Sequence, residues 1–259
     1  MLKLCGMQER RAFLVIFAIA AALIIPAALT LRTVVHPVIL QVTSNNPTPL
    51  GYTWSLVLFI IPIAALGWWF ACRPDLQFPR KAFWRTIAVL TPLGFLLDLL
   101  FGNAFFVFPN ESAVLGWKVP AVGGAIPIEE FVFYLTGFML VLLTYIWCDE
   151  YWMGAYNVRD YAATAENIPR IVRFHFASVI LGILLIAAAI VYRKFLSAAP
   201  EGFPWYFIYL VCASLIPSAG FFHSAKPFIN WRAFSFTFFL LLLISLLWEA
   251  TLALPYGWW

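Results

Sequence analysis

The sequence has few charged residues: Asp, Glu, Lys and Arg together make up 11% of its 259 residues. A soluble domain carries about 25% charged residues, and a chain with less than half of that share cannot cover its surface with polar groups. Hydrophobic residues account for 64% of the chain, and the mean hydropathy is +0.91. These values exclude an ordinary soluble fold and predict an integral membrane protein whose apolar excess faces lipid.

The sequence also lacks the motifs of common metal and cofactor sites. Its four cysteines are scattered, with neither a CxxC pair nor the spacing of zinc ligands. It contains no GxGxxG segment, no phosphate-binding loop and no nucleophile elbow. We therefore expect no cofactor, no metal ion and no nucleic-acid partner.

Seven stretches are long and apolar enough to cross a bilayer as helices, which requires about 20 mostly apolar residues. The strict alternation of a membrane β-barrel is absent from them. Only short connections separate them, so we predict an all-α, polytopic transmembrane helix bundle that forms a single membrane domain over 1–259. The predicted spans lie at roughly 12–31, 52–71, 82–101, 127–147, 174–192, 204–222 and 233–254.

The basic residues predict an orientation for these spans. The N-terminal segment and the second, fourth and sixth connections, with their flanks, hold 12 of the 16 Lys and Arg residues. Short cytoplasmic segments carry an excess of Lys and Arg. The N-terminus is therefore expected in the cytoplasm and residue 259 on the opposite face. In a bacterium the membrane would be the inner membrane.

Four carboxyl groups fall within predicted spans, where charged side chains are rare and indicate function by default. Asp98 lies near the end of the third span, Glu129 and Glu130 open the fourth span after Pro127, and Glu249 lies in the seventh. With the predicted orientation, all four acids lie at a similar depth in the non-cytoplasmic half of the bundle. Their convergence predicts a site there.

Helix geometry offers a purely structural explanation for part of this pattern. Glu129 and Glu130 would occupy the first turn of a helix, where carboxylates complement the helix dipole and Pro127 is tolerated. Asp98 and Glu249 come late in their helices, where the dipole disfavours negative charge, so for these two we favour a functional role. Adjacent helical residues point about 100° apart, so we expect one of the two glutamates to act and the other to orient it.

The candidate functional side chains in this half of the bundle are acidic and aromatic. A carboxyl group in an apolar cavity keeps its proton, because desolvation penalises the anion, and can then act as a general acid. The chain has 26 Phe and 12 Trp residues. Most of them suit lipid-facing or interfacial positions, but rings around a protonating acid would also stabilise a carbocation. The combination indicates protonation of an olefin in a hydrophobic substrate, followed by ring closure.

Residues 127–134 carry a recognisable motif. The segment Pro-Ile-Glu-Glu-Phe-Val-Phe-Tyr resembles the PxE(E)xxFF signature of the membrane lycopene cyclase domain. That family includes the heterodimeric bacterial and the fused archaeal and fungal lycopene cyclases. The resemblance is tightest over about 95–135. The preceding segment is similar too, with Asp98 at a helix end followed by Gly102, Phe105, Phe106, Phe108, Gly116, Gly123 and Gly124.

The resemblance extends to an internal repeat. A first unit covers about 82–147, and a second covers about 233–259, where Glu249 leads to a Gly-Trp-Trp segment similar to the family's GxWW. An offset of four spans preserves orientation, so the repeats are expected to be parallel. The family continues from this point to another PxE motif and an eighth helix, so we expect the second unit to be incomplete.

The resemblance implies a redox-neutral, cofactor-independent isomerisation in carotenoid biosynthesis. An acid protonates the terminal double bond of a linear carotene ψ-end, the internal double bond closes a six-membered ring, and a base removes a ring proton to leave a β-ionone ring. Glu129 is expected as the principal acid and Glu130 as its partner, with Asp98 and Glu249 as polar supports or the base. A homodimer or a partner cyclase subunit is expected to complete the pair of units. The expected substrate contacts are Phe105, Phe133, Tyr134 and Trp258.

Alternatives remain open at this point. Another proton-initiated membrane isoprenoid cyclase or a carotenoid hydratase would use the same pocket, and a transporter would use the acids as a cation pathway. A membrane prenyltransferase is disfavoured, because no aspartate stands at DxxxD spacing from Asp98 to hold magnesium. A retinal protein is excluded, because the last span contains no lysine between Ala233 and Leu254.

Overall fold

The computed structural model describes residues 49–73, 75, 78–105, 108, 110–157, 176–196 and 205–248. Two of the predicted site residues, Glu249 and Trp258, lie outside these residues. The predicted first span and the end of the second repeat unit also lie outside them.

The described part of the chain is mostly helical, and five of its helices are long and apolar enough to cross a membrane. They match the second, third, fourth, fifth and seventh predicted spans, which makes the chain a multi-pass membrane protein. The predicted sixth span contains a shorter apolar helical stretch, Ile208–Gly220. The five long helical runs are Gly51–Ala71, Arg80–Ala104, Glu129–Trp152, Phe176–Leu196 and Trp231–Trp248.

The regular helices within these runs are labelled here in chain order. They are α1 (Gly51–Ser55), α2 (Val57–Ala71), α3 (Arg80–Phe101), α4 (Glu129–Trp147), α5 (Phe176–Val191), α6 (Trp205–Leu210), α7 (Ile216–Ala225) and α8 (Trp231–Trp248). Short π-helical turns extend α4 and α5 and connect α6 to α7, at Cys148–Trp152, Tyr192–Leu196 and Val211–Leu215. Single 3₁₀ turns lie at Gly102–Ala104, Glu111–Ala113, Gly154–Tyr156 and Lys226–Phe228.

Helix α4 is the centre of one packed group, since it contacts α2, α3 and α8, while α5 packs against α7. Pro62 and Pro92 lie inside α2 and α3. Such prolines are tolerated in membrane helices, where neighbouring groups satisfy the freed carbonyls. Large side chains such as Trp68, which is 74% exposed, lie on the outside of the bundle, as expected of surfaces that face lipid.

A short β-hairpin lies between α3 and α4, in a connection where the sequence analysis predicted no strands. Strand β1 (Lys118–Ala121) pairs antiparallel with β2 (Gly124–Pro127), with Ala121 opposite Gly124. The two-residue turn contains Gly123 at φ +83°, a conformation that favours glycine because it has no Cβ. The amide of Val122 donates to the carbonyl of Leu99 at 2.8 Å. The hairpin is thereby attached to the end of α3, beside the start of α4.

Candidate functional site

Three carboxyl groups are buried where the end of α3 meets the start of α4. Asp98 and Glu129 are each 1% exposed, and Glu130 is 7% exposed. Asp98 lies one turn before the end of α3, and the two glutamates open α4 directly after the hairpin. The antiparallel packing of two consecutive helices therefore brings the ends that carry these acids together. The fourth predicted acid, Glu249, lies outside the described residues.

The carboxyl groups of Asp98 and Glu130 lie close enough to interact directly. An ionised carboxylate only accepts hydrogen bonds, whereas a protonated one also donates. A hydrogen bond between these two carboxyl groups would therefore require a proton on one of them. In the described part of the chain, no Lys or Arg side chain forms an ion pair with either acid. Two negative charges this close together would repel each other without a neighbouring cation.

Tyrosines from separate parts of the chain surround this carboxyl pair. The hydroxyl of Tyr52, in α1, donates to Oε1 of Glu130, and the hydroxyl of Tyr209, in α6, donates to Oδ1 of Asp98 at 3.3 Å. Tyr134, one turn into α4, also lies within reach of the Asp98 carboxyl group. The sequence analysis expected Tyr134 at the site but missed Tyr52 and Tyr209. Their position within apolar spans was the available signal, because a buried tyrosine hydroxyl needs a polar partner.

Glu129 has a different set of partners. Its Oε1 accepts hydrogen bonds from the Thr53 hydroxyl at 2.7 Å and from the backbone amide of Leu115 at 2.6 Å. Its Oε2 is buried and has no hydrogen-bond partner among the described residues. Oε1 is therefore held in place by two hydrogen-bond donors, whereas Oε2 has no hydrogen-bond partner among the described residues. Glu129 and Glu130 therefore have separate hydrogen-bond partners.

Aromatic rings pack beside the Glu130 end of the carboxyl pair. Trp248, the last described residue of α8, stacks on Phe133 with ring centroids 5.2 Å apart and on Tyr52 at 6.0 Å. Phe59 meets the same indole ring edge-on at 5.2 Å. Since Tyr52 also binds Glu130, Trp248 is one residue away from the acid, and Phe133 and Phe59 are two residues away. The expected contact residue Phe133 lies in this cluster.

A second stacked pair lies at the Asp98 end. Phe105 is 7% exposed and stacks on Tyr209 with centroids 5.0 Å apart and an interplanar angle of 24°. Tyr209 is the residue whose hydroxyl reaches Asp98. Three of the four predicted contact residues, Phe105, Phe133 and Tyr134, therefore lie at the carboxyl pair or within two intervening residues of it, and Trp258 lies outside the described residues.

Fold and site together define a multi-pass helical membrane protein with a buried cluster of carboxyl, tyrosine and aromatic side chains. Comparison of the sequence with protein-family models and with curated proteins, and of the structure with solved structures, gives no match.

Proposed function

We propose that this protein is a membrane isomerase of the lycopene cyclase type, which protonates a double bond of a linear carotene and lets the cation close to a β-ionone ring. The observation that carries the proposal is the buried cluster of Asp98, Glu129 and Glu130 among aromatic rings. Such a site supplies a proton to an apolar substrate and shields the cation from water. The motif resemblance over 127–134 points to the same reaction.

The hydrogen bonds support a division of labour among the acids. With Oε1 of Glu129 accepting from Thr53 and Leu115, the uncommitted Oε2 is the oxygen that would carry the transferable proton. The neighbouring carboxyl groups of Asp98 and Glu130 would share one proton, with which they would replenish Glu129, and would receive the proton lost from the ring. The substrate gains one proton and loses another, so the reaction needs no oxidant, reductant or cofactor.

The aromatic rings would stabilise the intermediate. A cation over the face of an aromatic ring is attracted by the ring quadrupole, by about 2 kcal/mol or more where water is excluded. Phe133 and Trp248 provide stacked faces next to Tyr52, the hydrogen-bond partner of Glu130. A tertiary carbocation formed near this acid would therefore lie close to π-faces.

The test is expression of the full chain in lycopene-accumulating cells, followed by chromatography of the pigments. The proposal predicts products with one or two β-rings, and an empty vector gives the baseline. Lycopene that remains unchanged, with the protein inserted and monodisperse, would overturn the proposal for a chain acting alone. Co-expression of a second cyclase unit then tests whether a homodimer or partner subunit completes the site.

Product identity separates the related enzymes. Hydroxylated acyclic carotenoids would indicate a hydratase, in which water captures the cation. Cyclised shorter prenyl chains would indicate another isoprenoid cyclase. A buried carboxyl pair with tyrosines also suits a proton pathway, so proton-coupled uptake without any change in the carotenoids would indicate a transporter.

We further propose seven spans with the N-terminus in the cytoplasm and, in a bacterium, insertion in the inner membrane. The support is the distribution of Lys and Arg, 12 of 16 of which fall on one side. The first unit, about 82–147, and the second, about 233–259, would then be parallel. A reporter fused after Trp259 should lie outside the cytoplasm, and a cytoplasmic signal would contradict this topology.

A further inference from the structure

A groove lies between α2, α3 and α4 at the opposite end of these helices from the acids. Its volume is about 230 Å³, and it opens to the surface of the bundle. Apolar side chains form most of its lining. Gly67 leaves open space at one side of the groove, since a Cβ added there would meet no atom within 4 Å. The apolar lining includes Ile63, Phe70, Phe83, Met139 and Leu143.

Basic side chains border this groove. Arg80 lines it together with Trp84, and a second, shallower depression on the other side of these two residues is lined by Lys81 and Arg85. All three cations are exposed and form no ion pair within the described part of the chain. Arg73 differs, because its guanidinium lies 5.6 Å from the centre of the Trp69 ring.

The backbone adds to the positive potential at this point. Helix α3 has 22 residues and begins at Arg80, with no side-chain cap and no acidic residue in its first turn. The amide of Arg80 donates to the carbonyl of Phe78, but the dipole of the helix still favours an anion at this N-terminus. The groove, three cations and the uncapped helix end therefore coincide.

We propose that this groove binds an anionic phospholipid of the adjacent leaflet. The phosphate is held by Arg80 and Lys81, with Arg85 beside it, and one acyl chain lies along the groove towards Leu143. Charge complementarity selects an anionic over a zwitterionic headgroup, and the apolar lining selects a lipid over free phosphate. A carotene has no charged group, so this site is separate from the carboxyl cluster and does not depend on the reaction proposed above.

The experiment is native mass spectrometry of the full chain released from nanodiscs that contain equal amounts of phosphatidylglycerol and phosphatidylcholine. The double variant Arg80→Gln/Lys81→Gln removes the headgroup contacts, and Gly67→Leu fills the groove without removing a charge. The matched control, Lys194→Gln/Lys226→Gln, removes two exposed charges elsewhere on the protein. Each lysine or arginine near a membrane surface contributes measurably to anionic-lipid binding.

We expect the wild type and the control to retain phosphatidylglycerol over phosphatidylcholine. Both groove variants should lose that preference on the order of tenfold, which follows for the double variant from its two lost charges. Equal retention of both lipids by the wild type would overturn the proposal, as would an unchanged preference in Arg80→Gln/Lys81→Gln.

An unaffected Gly67→Leu variant, or displacement of the lipid by inorganic phosphate, would reduce the site to adsorption on surface charge. Loss of a dimer, rather than of lipid, in Gly67→Leu would assign the groove to a second copy.

Discussion

The ring of Tyr134 packs directly against the backbone of Gly94, so closely that a Cβ on Gly94 would lie 2.6 Å from Cδ1 of Tyr134. Gly94 is buried and lies one helical turn before Asp98 on the same face of α3. The absence of a side chain there lets α4 approach α3, and the same approach brings Tyr134 within hydrogen-bond reach of Asp98. The contact of these two residues thus positions the carboxyl pair.

Substitution Gly94→Ala should destabilise the protein. The added methyl group forces the Tyr134 ring or the helix pair to move, and overpacking of this kind costs about 1–3 kcal/mol. Thermal unfolding followed by size-exclusion chromatography measures the effect. The matched control is Gly137→Ala in α4, where a Cβ meets nothing within 4 Å and alanine should stabilise the helix by about 0.5–1 kcal/mol. Equal melting temperatures for the two variants would contradict the close packing.

Glu129→Gln should abolish ring formation while the protein still inserts and folds. The amide keeps an oxygen that accepts from Thr53 and Leu115, but it has no proton acidic enough to transfer, and loss of a general acid costs about 10²–10⁴-fold in rate. Pigment chromatography at matched protein levels gives the measurement. Glu111→Gln is the control, because Glu111 is exposed and pairs only with Lys118 among the described residues. A near-normal product yield from Glu129→Gln would contradict the assignment of Glu129 as the general acid.

Glu130→Gln and Asp98→Asn should reduce product about equally, and the double variant should be little worse than either single one. The two carboxyl groups lie close enough to share one proton, and residues that act as a unit show strongly non-additive effects. The same chromatographic assay tests this. Independent, multiplicative losses would show that the two acids do not function as a pair.

Thr53→Val should lower ring formation by about three- to tenfold without unfolding the protein. The variant keeps the shape of the side chain but removes a hydrogen bond to Glu129 Oε1, and a net contribution of about 0.5–1.5 kcal/mol is typical. Thr136→Val is the control, since among the described residues that hydroxyl donates only to carbonyls of its own helix. If both variants reduce product equally, the Thr53 contact has no specific role.

The surface pair of Glu111 and Lys118, 2.7 Å apart, should respond to pH. The Lys118 ammonium holds the pKa of Glu111 below its ordinary value, through a hydrogen bond and charge attraction. The contact is therefore present above the usual glutamate range and is lost as the pH falls through the lowered pKa. Lys118→Gln should raise the pKa of Glu111 towards its ordinary value, as measured by carbon-13 NMR of labelled glutamate. An unchanged titration would show that the pair does not form.

The sequence by itself determined that the chain is a helical membrane protein and where most of its long helices lie. Apolar runs of about 20 residues have no other stable form in a bilayer, because every backbone polar group must be paired within the segment. Runs such as 52–71 and 127–147 could therefore be predicted from composition alone. The buried acids could be predicted as well, since Asp98, Glu129 and Glu130 stand out against an apolar background.

Only the tertiary structure decided how these acids are paired. Hydropathy says nothing about which face of one helix meets which face of another, so the direct approach of Asp98 and Glu130 could not be predicted from their separation in sequence. The same holds for Tyr52 and Tyr209, which are 78 and 111 residues away from the acids they bind. The hairpin also escaped prediction, because four-residue strands carry too short a pattern to distinguish them from a loop. Long-range packing, with Gly94 allowing the close approach of Tyr134, turns separate acids into one site.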